Sequence, residues 1–261
     1  MDTSIDWPDL IRELDQWAKS GRTATFWWRD DDAIAPTPLL DVLLGVASPL
    51  PISLAVIPGL VEPILADRLT HEPQIAILQH GWRHIDHVAR LRLKGDPSEY
   101  PKQRATSEVA RELRTGRQRL KGLFGDRALP VFVPPFHGFH EGFLPLLASN
   151  GLRAISRNHA RTAKSLAGVM QVNTHVELIR WSDPPSFNGT AAALARLIAH
   201  LKARREGDAD IEEPTGILTH HLVQDAESYA FIKELIVVTL AHPAIRWLDG
   251  HEIFPDYPND D

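Results

Sequence analysis

Hydrophobic residues recur along this chain in two alternating patterns. Short apolar runs bounded by polar residues are typical of buried strands, whereas apolar residues three to four positions apart are typical of amphipathic helices. The first pattern predicts strands over residues 23–29, 52–57, 75–78, 131–133, 153–155, 216–218 and 245–248, with less regular extended structure over 169–181. The second predicts helices over residues 7–20, from 37 onward, and over 62–69, 101–124, 143–149, 190–204 and 226–241.

The alternation of strands and helices predicts the fold class. Consecutive strands joined by helices form a parallel sheet, and the connections share one handedness. No linker rich in Gly and Ser and no internal repeat divides the 261 residues. We therefore expect one domain over residues 1–261, folded as an irregular parallel (β/α) barrel of seven or eight strands.

The first predicted strand ends in three consecutive carboxylates, Asp30, Asp31 and Asp32. Adjacent carboxylates repel one another unless a cation or shared protons neutralise them. An aspartate can also serve as a helix N-cap or turn residue, but that role accounts for one aspartate and not for three. The cluster therefore indicates a bound cation.

Two histidines follow another predicted strand. His80 and His84 come after the apolar run 75–78, with three residues between them. The chain has no cysteine, so a metal site must use histidine and carboxylate ligands. One Asp and two His leave coordination positions open for water or substrate, which favours catalysis over a structural role. The same spacing would also suit one face of a helix.

Two more polar segments come directly after predicted strands. Residues 134–137 follow the strand 131–133, and His220 and His221 follow the strand 216–218. In parallel barrels the active site lies at the carboxyl ends of the strands. We therefore expect four segments that are distant in sequence to converge on one rim.

The overall composition argues against some partners. The formal net charge of −6 disfavours nucleic acid as the main partner, because nucleic-acid-binding surfaces are basic. The Arg and Lys residues of 102–121 alternate with Glu, as on a solvated helix face. No segment has the roughly 20 consecutive apolar residues of a membrane span, and the amino terminus lacks a secretory-signal pattern. We expect a cytoplasmic protein without a membrane partner, while the oligomeric state is left open.

Taken in order, these motifs resemble those of the polysaccharide deacetylase superfamily, the carbohydrate esterases with the chitooligosaccharide deacetylase homology domain. The resemblance runs from residue 23 to residue 222. In that family an Asp-Asp pair ends the first strand and a His-x-x-x-His motif follows. Val133-Pro134-Pro135-Phe136 is similar to the family's Arg-x-Pro-aromatic motif, and Leu218-Thr219-His220 is similar to its Leu-x-His motif.

The resemblance implies a role for each residue of these motifs. A divalent metal would be the cofactor, with zinc as the first expectation and Fe, Co or Ni as alternatives. The implied general base is Asp31, the implied general acid is His220, and the implied metal ligands are Asp32, His80 and His84.

The assignment within the aspartate triplet has two registers. Branches of the superfamily that read Arg-x-Asp-Asp favour Asp31 as base and Asp32 as ligand, because Arg29 then matches their Arg. The spacing to Thr37 and the proline after it instead favours Asp30 as base and Asp31 as ligand. We adopt the first register.

Further residues next to these motifs are candidates for substrate contacts. Trp82 lies between the two histidines and would offer a wall for a sugar ring. Only one of His220 and His221 need enter the site, because adjacent residues point apart. His175, Glu177 and Trp181 are weaker candidates. The predicted substrate-binding residues are Asp30, Trp82, Pro135, Phe136, His137 and His221.

The expected function is that of a metal-dependent hydrolase that removes an acyl group, acetyl by first expectation, from an N-acylated sugar or related small molecule. Val133 stands where the family has an Arg that positions the base, and Asp or Ala replaces the Gly-Pro that follows the Asp pair. The absent Arg favours a second hypothesis, a catalytically silent barrel that binds a glycan or a protein partner. A third hypothesis is a metal-dependent lyase or isomerase that acts on a sugar.

Overall fold

The computed structural model describes residues 5–255, so the ends of the predicted domain, residues 1–4 and 256–261, lie outside the described residues. The strands are β1 (Ala24–Ala33), β2 (Ile52–Val56), β3 (Ile75–His80), β4 (Ala128–Val133), β5 (Ala154–Ile155), β6 (Ser165–Leu166), β7 (Val169–Gln171), β8 (Val176–Glu177), β9 (Ile179–Arg180), β10 (Ser186–Phe187), β11 (Thr215–Thr219) and β12 (Ile245–Trp247).

Helices connect most of the strands. They are α1 (Trp7–Lys19), α2 (Pro38–Ala47), α3 (Ile64–Arg68), α4 (His87–Arg90), α5 (Thr106–Phe124), α6 (Leu144–Ser149), α7 (Thr190–Glu206), α8 (Ala226–Leu240) and α9 (Gly250–Ile253). Short 3₁₀ turns occupy Gly125–Arg127, Pro135–His137 and Glu141–Phe143. Within residues 5–255, no helix combines the length and the apolar character that a membrane crossing requires.

Within residues 5–255, ten of the strands form one curled, mostly parallel sheet, and β9 and β10 form a separate antiparallel pair. The order of the large sheet is β6-β7-β5-β4-β3-β2-β1-β11-β8, with β12 also paired to β1 and only β6 antiparallel to its neighbour. The residues that connect β7 to β8 bond to strands near both ends of this order: Thr174 N donates to Arg157 O after β5, and His175 N donates to Gly216 O in β11. The sheet thereby curls into an incomplete, irregular barrel, which confirms the predicted fold class.

Side chains of β1 alternate between the two faces of this sheet. Trp27 packs inside, in a cluster with Leu78 and Val131. Phe26 and Trp28 pack outside, in the cluster that includes the buried faces of the surrounding helices. Because successive side chains of a strand point to opposite faces, Arg29 and Asp31 belong to the inner face and Asp30 to the outer one.

The predicted and observed elements differ most around charged residues. The strand predicted over 23–29 continues through the aspartates to Ala33, because Asp30 and Asp31 are buried with hydrogen-bond partners of their own. The extended region predicted over 169–181 consists of the three short strands β7, β8 and β9. The helix predicted over 62–69 shortens to Ile64–Arg68.

A buried histidine pair lies between β11 and α7. The rings of His175 and His200 stack with centroids 3.4 Å apart, and His175 Nε2 lies 3.4 Å from Glu213 Oε2. Nδ1 of His175 accepts the Gly216 N–H. The ring proton of His175 is therefore on Nε2, so neither ring nitrogen has a free lone pair with which to bind a cation. The histidine pair is therefore a buried packing element rather than a metal site, although the residue types of the cluster would suit a metal.

This histidine pair should make the stability of the fold depend on pH. Burial lowers the pKa of His175, and burial together with the nearby His175 lowers the pKa of His200 to about 2. In the unfolded chain these histidines bind a proton near pH 6.5, whereas in the folded chain they stay neutral. The free energy of unfolding therefore falls as the pH drops below 6.5. His200 alone should cost about 2 kcal/mol between pH 7.5 and pH 5.0.

Urea unfolding of the wild type and of His200→Gln at both pH values measures this loss, which should be smaller in the variant. His71→Gln is the matched control, because His71 is exposed. An equal loss of unfolding free energy in all three proteins would contradict the prediction.

Candidate active site

One pocket lies at the carboxyl ends of the parallel strands. Its volume is about 400 Å³, and residues from the ends of β1, β3, β4, β8 and β11 contribute to its wall. The segments that contribute are separated by up to 189 residues in sequence. The lining residues are Asp31, Asp32, His80, His84, Pro97, Phe136, His137, Glu177, Trp181 and His220.

A bulge in β1 brings two consecutive aspartates to this pocket. Asp30 pairs with Leu54 and Ala33 pairs with Val56, so β1 has one residue more than β2 between these pairs. A bulge redirects side chains that strict alternation would place on opposite faces. Asp32 also has a positive φ of 73°, a conformation in which aspartate is tolerated better than most residues. Asp31 and Asp32 therefore both reach the pocket.

Asp31 is held by a buried arginine from its own strand. Arg29 Nε donates to Asp31 Oδ1 at 2.8 Å, and Arg29 Nη2 donates to Oδ2 at 3.0 Å. Arg29 Nη1 also donates to the Ser156 hydroxyl at 2.7 Å. Burial by itself raises the pKa of Asp31, but the charges of Arg29, His80 and His220 outweigh it, so the pKa lies below its usual value. Asp31 is therefore an oriented carboxylate at neutral pH.

Asp32, His80 and His84 form a compact group of candidate metal ligands. Asp32 Oδ1 lies 3.2 Å from His80 Nε2 and 3.4 Å from His84 Nε2. This buried oxygen has no hydrogen-bond partner within the described residues. Three nitrogen and oxygen atoms at this spacing match the ligand separations around a tetrahedral cation.

The protonation states of this group also fit a metal. His80 Nδ1 lies 3.0 Å from Val133 O and donates to it, which leaves the Nε2 lone pair for a cation. Burial raises the pKa of Asp32, yet the neighbouring His80 and His84 lower it further, so Asp32 is ionised. Burial and the neighbouring His80 lower the pKa of His84, which favours its neutral form. Burial also lowers the pKa of His80, but the charges of Asp31 and Asp32 raise it above its usual value. A bound cation would take the place of that proton, because a carboxylate and neutral imidazoles are the forms that bind metals.

The opposite wall carries His220, Glu177 and Trp181. His220 Nδ1 lies 3.8 Å from Glu177 Oε1, and the His220 ring packs edge to face on Trp181 with centroids 4.7 Å apart. Trp181 Nε1 donates to Glu177. Burial raises the pKa of Glu177, but the imidazoles of His137 and His220 and the Trp181 N–H bring it below its usual value. Glu177 is thus a carboxylate beside an imidazole that faces the pocket.

Phe136 and His137 form a strained corner of the pocket. Both have positive φ values, 57° and 59°. Non-glycine residues in this region cost of order 1–3 kcal/mol and concentrate at functional sites. The Phe136 ring lies 4.4 Å from the His84 ring and is 37% exposed, and His137 Nε2 lies 3.7 Å from Glu177 Oε2.

The structure places Asp30 and His221 away from the pocket. Asp30 is fully buried on the outer face of the sheet, where its Oδ1 lies 2.5 Å from His221 Nδ1. Asp30 Oδ2 accepts the Thr219 hydroxyl at 2.6 Å and the His221 N–H at 3.0 Å. Neither residue is positioned for the predicted substrate contact, because the pleat of β1 turns Asp30 outward.

Two other predicted substrate contacts also lie outside the pocket. Trp82 lines a separate surface groove next to Arg83 and Glu99. Pro135 is buried behind the pocket wall, against the backbone of Gly81. Phe136 and His137 line the pocket.

Three lining residues had a weak sequence signal or none. Glu177 and Trp181 belong to the least regular predicted extended region, and their spacing of four residues was the only hint of a pair. Pro97 comes from a polar loop with no distinguishing pattern.

Comparison of the structure with solved structures finds similar proteins, whereas comparison of the whole sequence does not. No protein-family model matches the sequence, and no curated protein is a significant match. The fold matches a candidate polysaccharide deacetylase from Mycobacterium smegmatis with a TM-score of 0.61 and 16% identity, over 95% of this chain and 90% of that one. It matches a family 4 carbohydrate esterase from Streptomyces lividans with a TM-score of 0.53 and 16% identity, over 85% of this chain and 90% of that one.

A third match is a mutant of a pseudoenzyme of the same esterase family, with restored enzymatic activity. Its TM-score is 0.55 at 11% identity, over 89% of this chain and 68% of that one. The chain thus has the fold of the polysaccharide deacetylases, as the sequence motifs predicted.

Proposed function

We propose that this protein is a metal-dependent hydrolase that removes an acyl group, acetyl by first expectation, from an N-acylated sugar or a related small molecule. One observation carries the proposal: an arginine-held carboxylate, a three-ligand metal group and an imidazole on the opposite wall all face one pocket. These are the parts that amide hydrolysis needs, and they lie at the strand ends where parallel barrels place active sites.

The base side of the reaction would use Asp31. A divalent cation held by Asp32, His80 and His84 would polarise the scissile carbonyl and acidify the attacking water. Asp31 would accept the proton from that water. Arg29 fixes both carboxylate oxygens of Asp31, so little orientational freedom is left to lose in the transition state.

The acid side would use His220. Amide hydrolysis releases an amine, which leaves as a neutral group only if a proton reaches its nitrogen. Glu177 faces the Nδ1 side of His220 and would stabilise a protonated ring, so that Nε2 is left as the proton donor. The Trp181 edge restricts rotation of the ring.

The walls suit a ring-shaped substrate. Trp181 is 55% exposed and Phe136 is 37% exposed, and both border the same pocket. Aromatic faces at a binding site offer apolar area that a sugar ring can stack on. The pocket volume of about 400 Å³ is in the range of small-molecule sites.

The hypothesis of a catalytically silent barrel loses its main support. That hypothesis depended on Val133 in place of the arginine that positions the base. Arg29 makes the bidentate contact to Asp31 from within β1, so the base has its cationic partner from another position in the chain.

Acetate release from a panel of N-acetylated sugars tests the proposal. The purified protein should release acetate after incubation with Zn²⁺ or Co²⁺. A chelator should abolish the release, because it removes the cation from Asp32, His80 and His84. Added metal should restore the release. Asp32→Asn, which removes a ligand, is the matched inactive control.

Two results would contradict the proposal. The first is a protein that binds no divalent ion and releases no acetate from any member of the panel. The second is conversion of a sugar without acetate, which would support the lyase or isomerase hypothesis instead.

A further inference from the structure

Glu99 is a deeply buried carboxylate outside the pocket. It is 1% exposed, and within residues 5–255 it forms no ion pair. Its oxygens accept backbone N–H groups instead: Oε2 accepts from Trp82 at 3.0 Å, and Oε1 accepts from Arg83 at 2.7 Å. Burial raises the pKa of Glu99, although the N–H groups of Trp82, Arg83 and Ile85 favour the charged form. Burying a carboxylate costs free energy unless hydrogen bonds offset the loss of hydration. For Glu99 these hydrogen bonds all come from the backbone of one loop.

That loop, residues 81–85, carries His84 into the candidate metal group. His80 ends a strand and Gly81 has a positive φ of 55°, so the two histidines do not share a helix face. His84 has a positive φ of 57°. A positive φ is ordinary for glycine but uncommon for histidine, so the approach of His84 to Asp32 depends on what holds the loop.

The loop is closely fitted to Glu99. A Cβ atom at Gly81 would lie 2.0 Å from Glu99 Oε2, so only glycine leaves room for the carboxylate. On the other side, Gly59 N donates to Trp82 O at 2.7 Å. The loop is therefore held between a buried carboxylate and the backbone after β2.

Glu99 is itself held in place by its neighbours. Arg104 donates to Glu99 O at 3.3 Å. The preceding Ser98 donates its hydroxyl to Gly138 O at 3.0 Å, and Ser98 O accepts the His87 N–H at 2.9 Å. Because the segment around Glu99 is anchored by contacts that do not involve the candidate metal ligands, Glu99 can impose a shape on the loop.

We propose that Glu99 is a positioning residue that shapes the loop 81–85 and thereby sets His84 for metal binding. The inference rests on the proposed metal group, but not on the reaction that the metal serves. Residues that orient metal ligands typically change metal affinity 10- to 100-fold when they are replaced.

The test compares Glu99→Gln with Glu13→Gln. Glu13 is a matched control, because it is also a buried carboxylate, 7% exposed, but its hydrogen bonds come from Arg205. Titration with Zn²⁺ alone against a competing chelator should show about 10- to 100-fold weaker affinity for Glu99→Gln. Glu13→Gln should keep the wild-type affinity, and Asp32→Asn should lose the site.

A second readout does not involve the metal. In the metal-free protein, Glu99→Gln should speed amide hydrogen exchange at Trp82, Arg83 and Ile85, whereas Glu13→Gln should not. An amide side chain has only one acceptor oxygen for the donors that the carboxylate now serves.

The results separate this inference from the proposed function. Unchanged Zn²⁺ affinity and unchanged loop exchange in Glu99→Gln would overturn the inference, as would equal effects of both substitutions. A wild type that binds no Zn²⁺ would also overturn it. A wild type that binds Zn²⁺ but releases no acetate would contradict the proposed function and leave the role of Glu99 intact if the affinities differ as expected.

Discussion

Asp31→Asn should lower the rate of acyl release by about 10²- to 10⁴-fold, the usual contribution of a positioned general base. Asparagine has nearly the same shape as aspartate but cannot accept the proton of the attacking water. The substrate walls are untouched, so KM should change little. Initial rates of acetate release over a range of substrate concentrations measure kcat and KM separately.

Metal content provides the control for this experiment, and it also separates the two registers of the aspartate triplet. If Asp31 is the base, Asp31→Asn should still bind one Zn²⁺ at the site that Asp32→Asn loses. If Asp31 were the ligand, its substitution would remove the metal as well. Asp31→Asn that retains full turnover would show that another group serves as base.

The strand-end positions of the site can be predicted from sequence, for a physical reason. A parallel sheet brings all its carboxyl ends to one side, so polar residues that follow buried runs must meet there. Asp31, Asp32, His80, His84 and His220 all satisfy this rule, and the structure places all five in one pocket. The rule needs only the apolar pattern and the order of the strands.

The face that each side chain occupies is harder to predict. Alternation along β1 places Asp30 outside the barrel with His221, although both directly neighbour pocket residues. The bulge that brings Asp31 and Asp32 together is a one-residue difference in pairing between β1 and β2. A sequence pattern does not reveal it, because bulges depend on the neighbouring strand.

Contacts between irregular segments leave the weakest trace in the sequence. Glu99 and Glu177 lie in or beside segments without clear periodicity. Even so, Glu99 accepts hydrogen bonds from the loop that carries His84, and Glu177 lies beside His220. Their partners are distant in the chain, and only the folded backbone sets the spacing. Arg29 is the exception, because its partner is two residues away on the same face of the same strand.

Arg29→Met should lower the free energy of unfolding by about 3–5 kcal/mol at neutral pH, the usual cost of leaving one partner of a buried pair without the other. Arg29 is fully buried and Asp31 is 1% exposed, so solvent does not screen the loss. Methionine fills part of the volume but provides no charge and no hydrogen bond to Ser156. Urea unfolding at pH 7 measures the change.

The pH dependence of this loss identifies Asp31 as its cause. In the wild type the lowered pKa of Asp31 contributes stability above its usual pKa near 3.8, and that contribution is lost as the pH falls through the lower folded value. Without Arg29, burial raises the pKa of Asp31, so the folded variant takes up a proton in mild acid and recovers stability. The difference between wild type and Arg29→Met should therefore be larger at pH 7 than at pH 4.5.

A double-mutant cycle measures how strongly Arg29 and Asp31 stabilise each other. Asp31→Asn alone leaves a buried arginine without its counter-ion, and Arg29→Met alone leaves a buried carboxylate without its own. The double variant leaves neither charge, so it should be more stable than the sum of the two single losses predicts. Simple additivity of the three unfolding free energies would mean that the two residues do not depend on each other. The bidentate contact would then not be what holds the base in place.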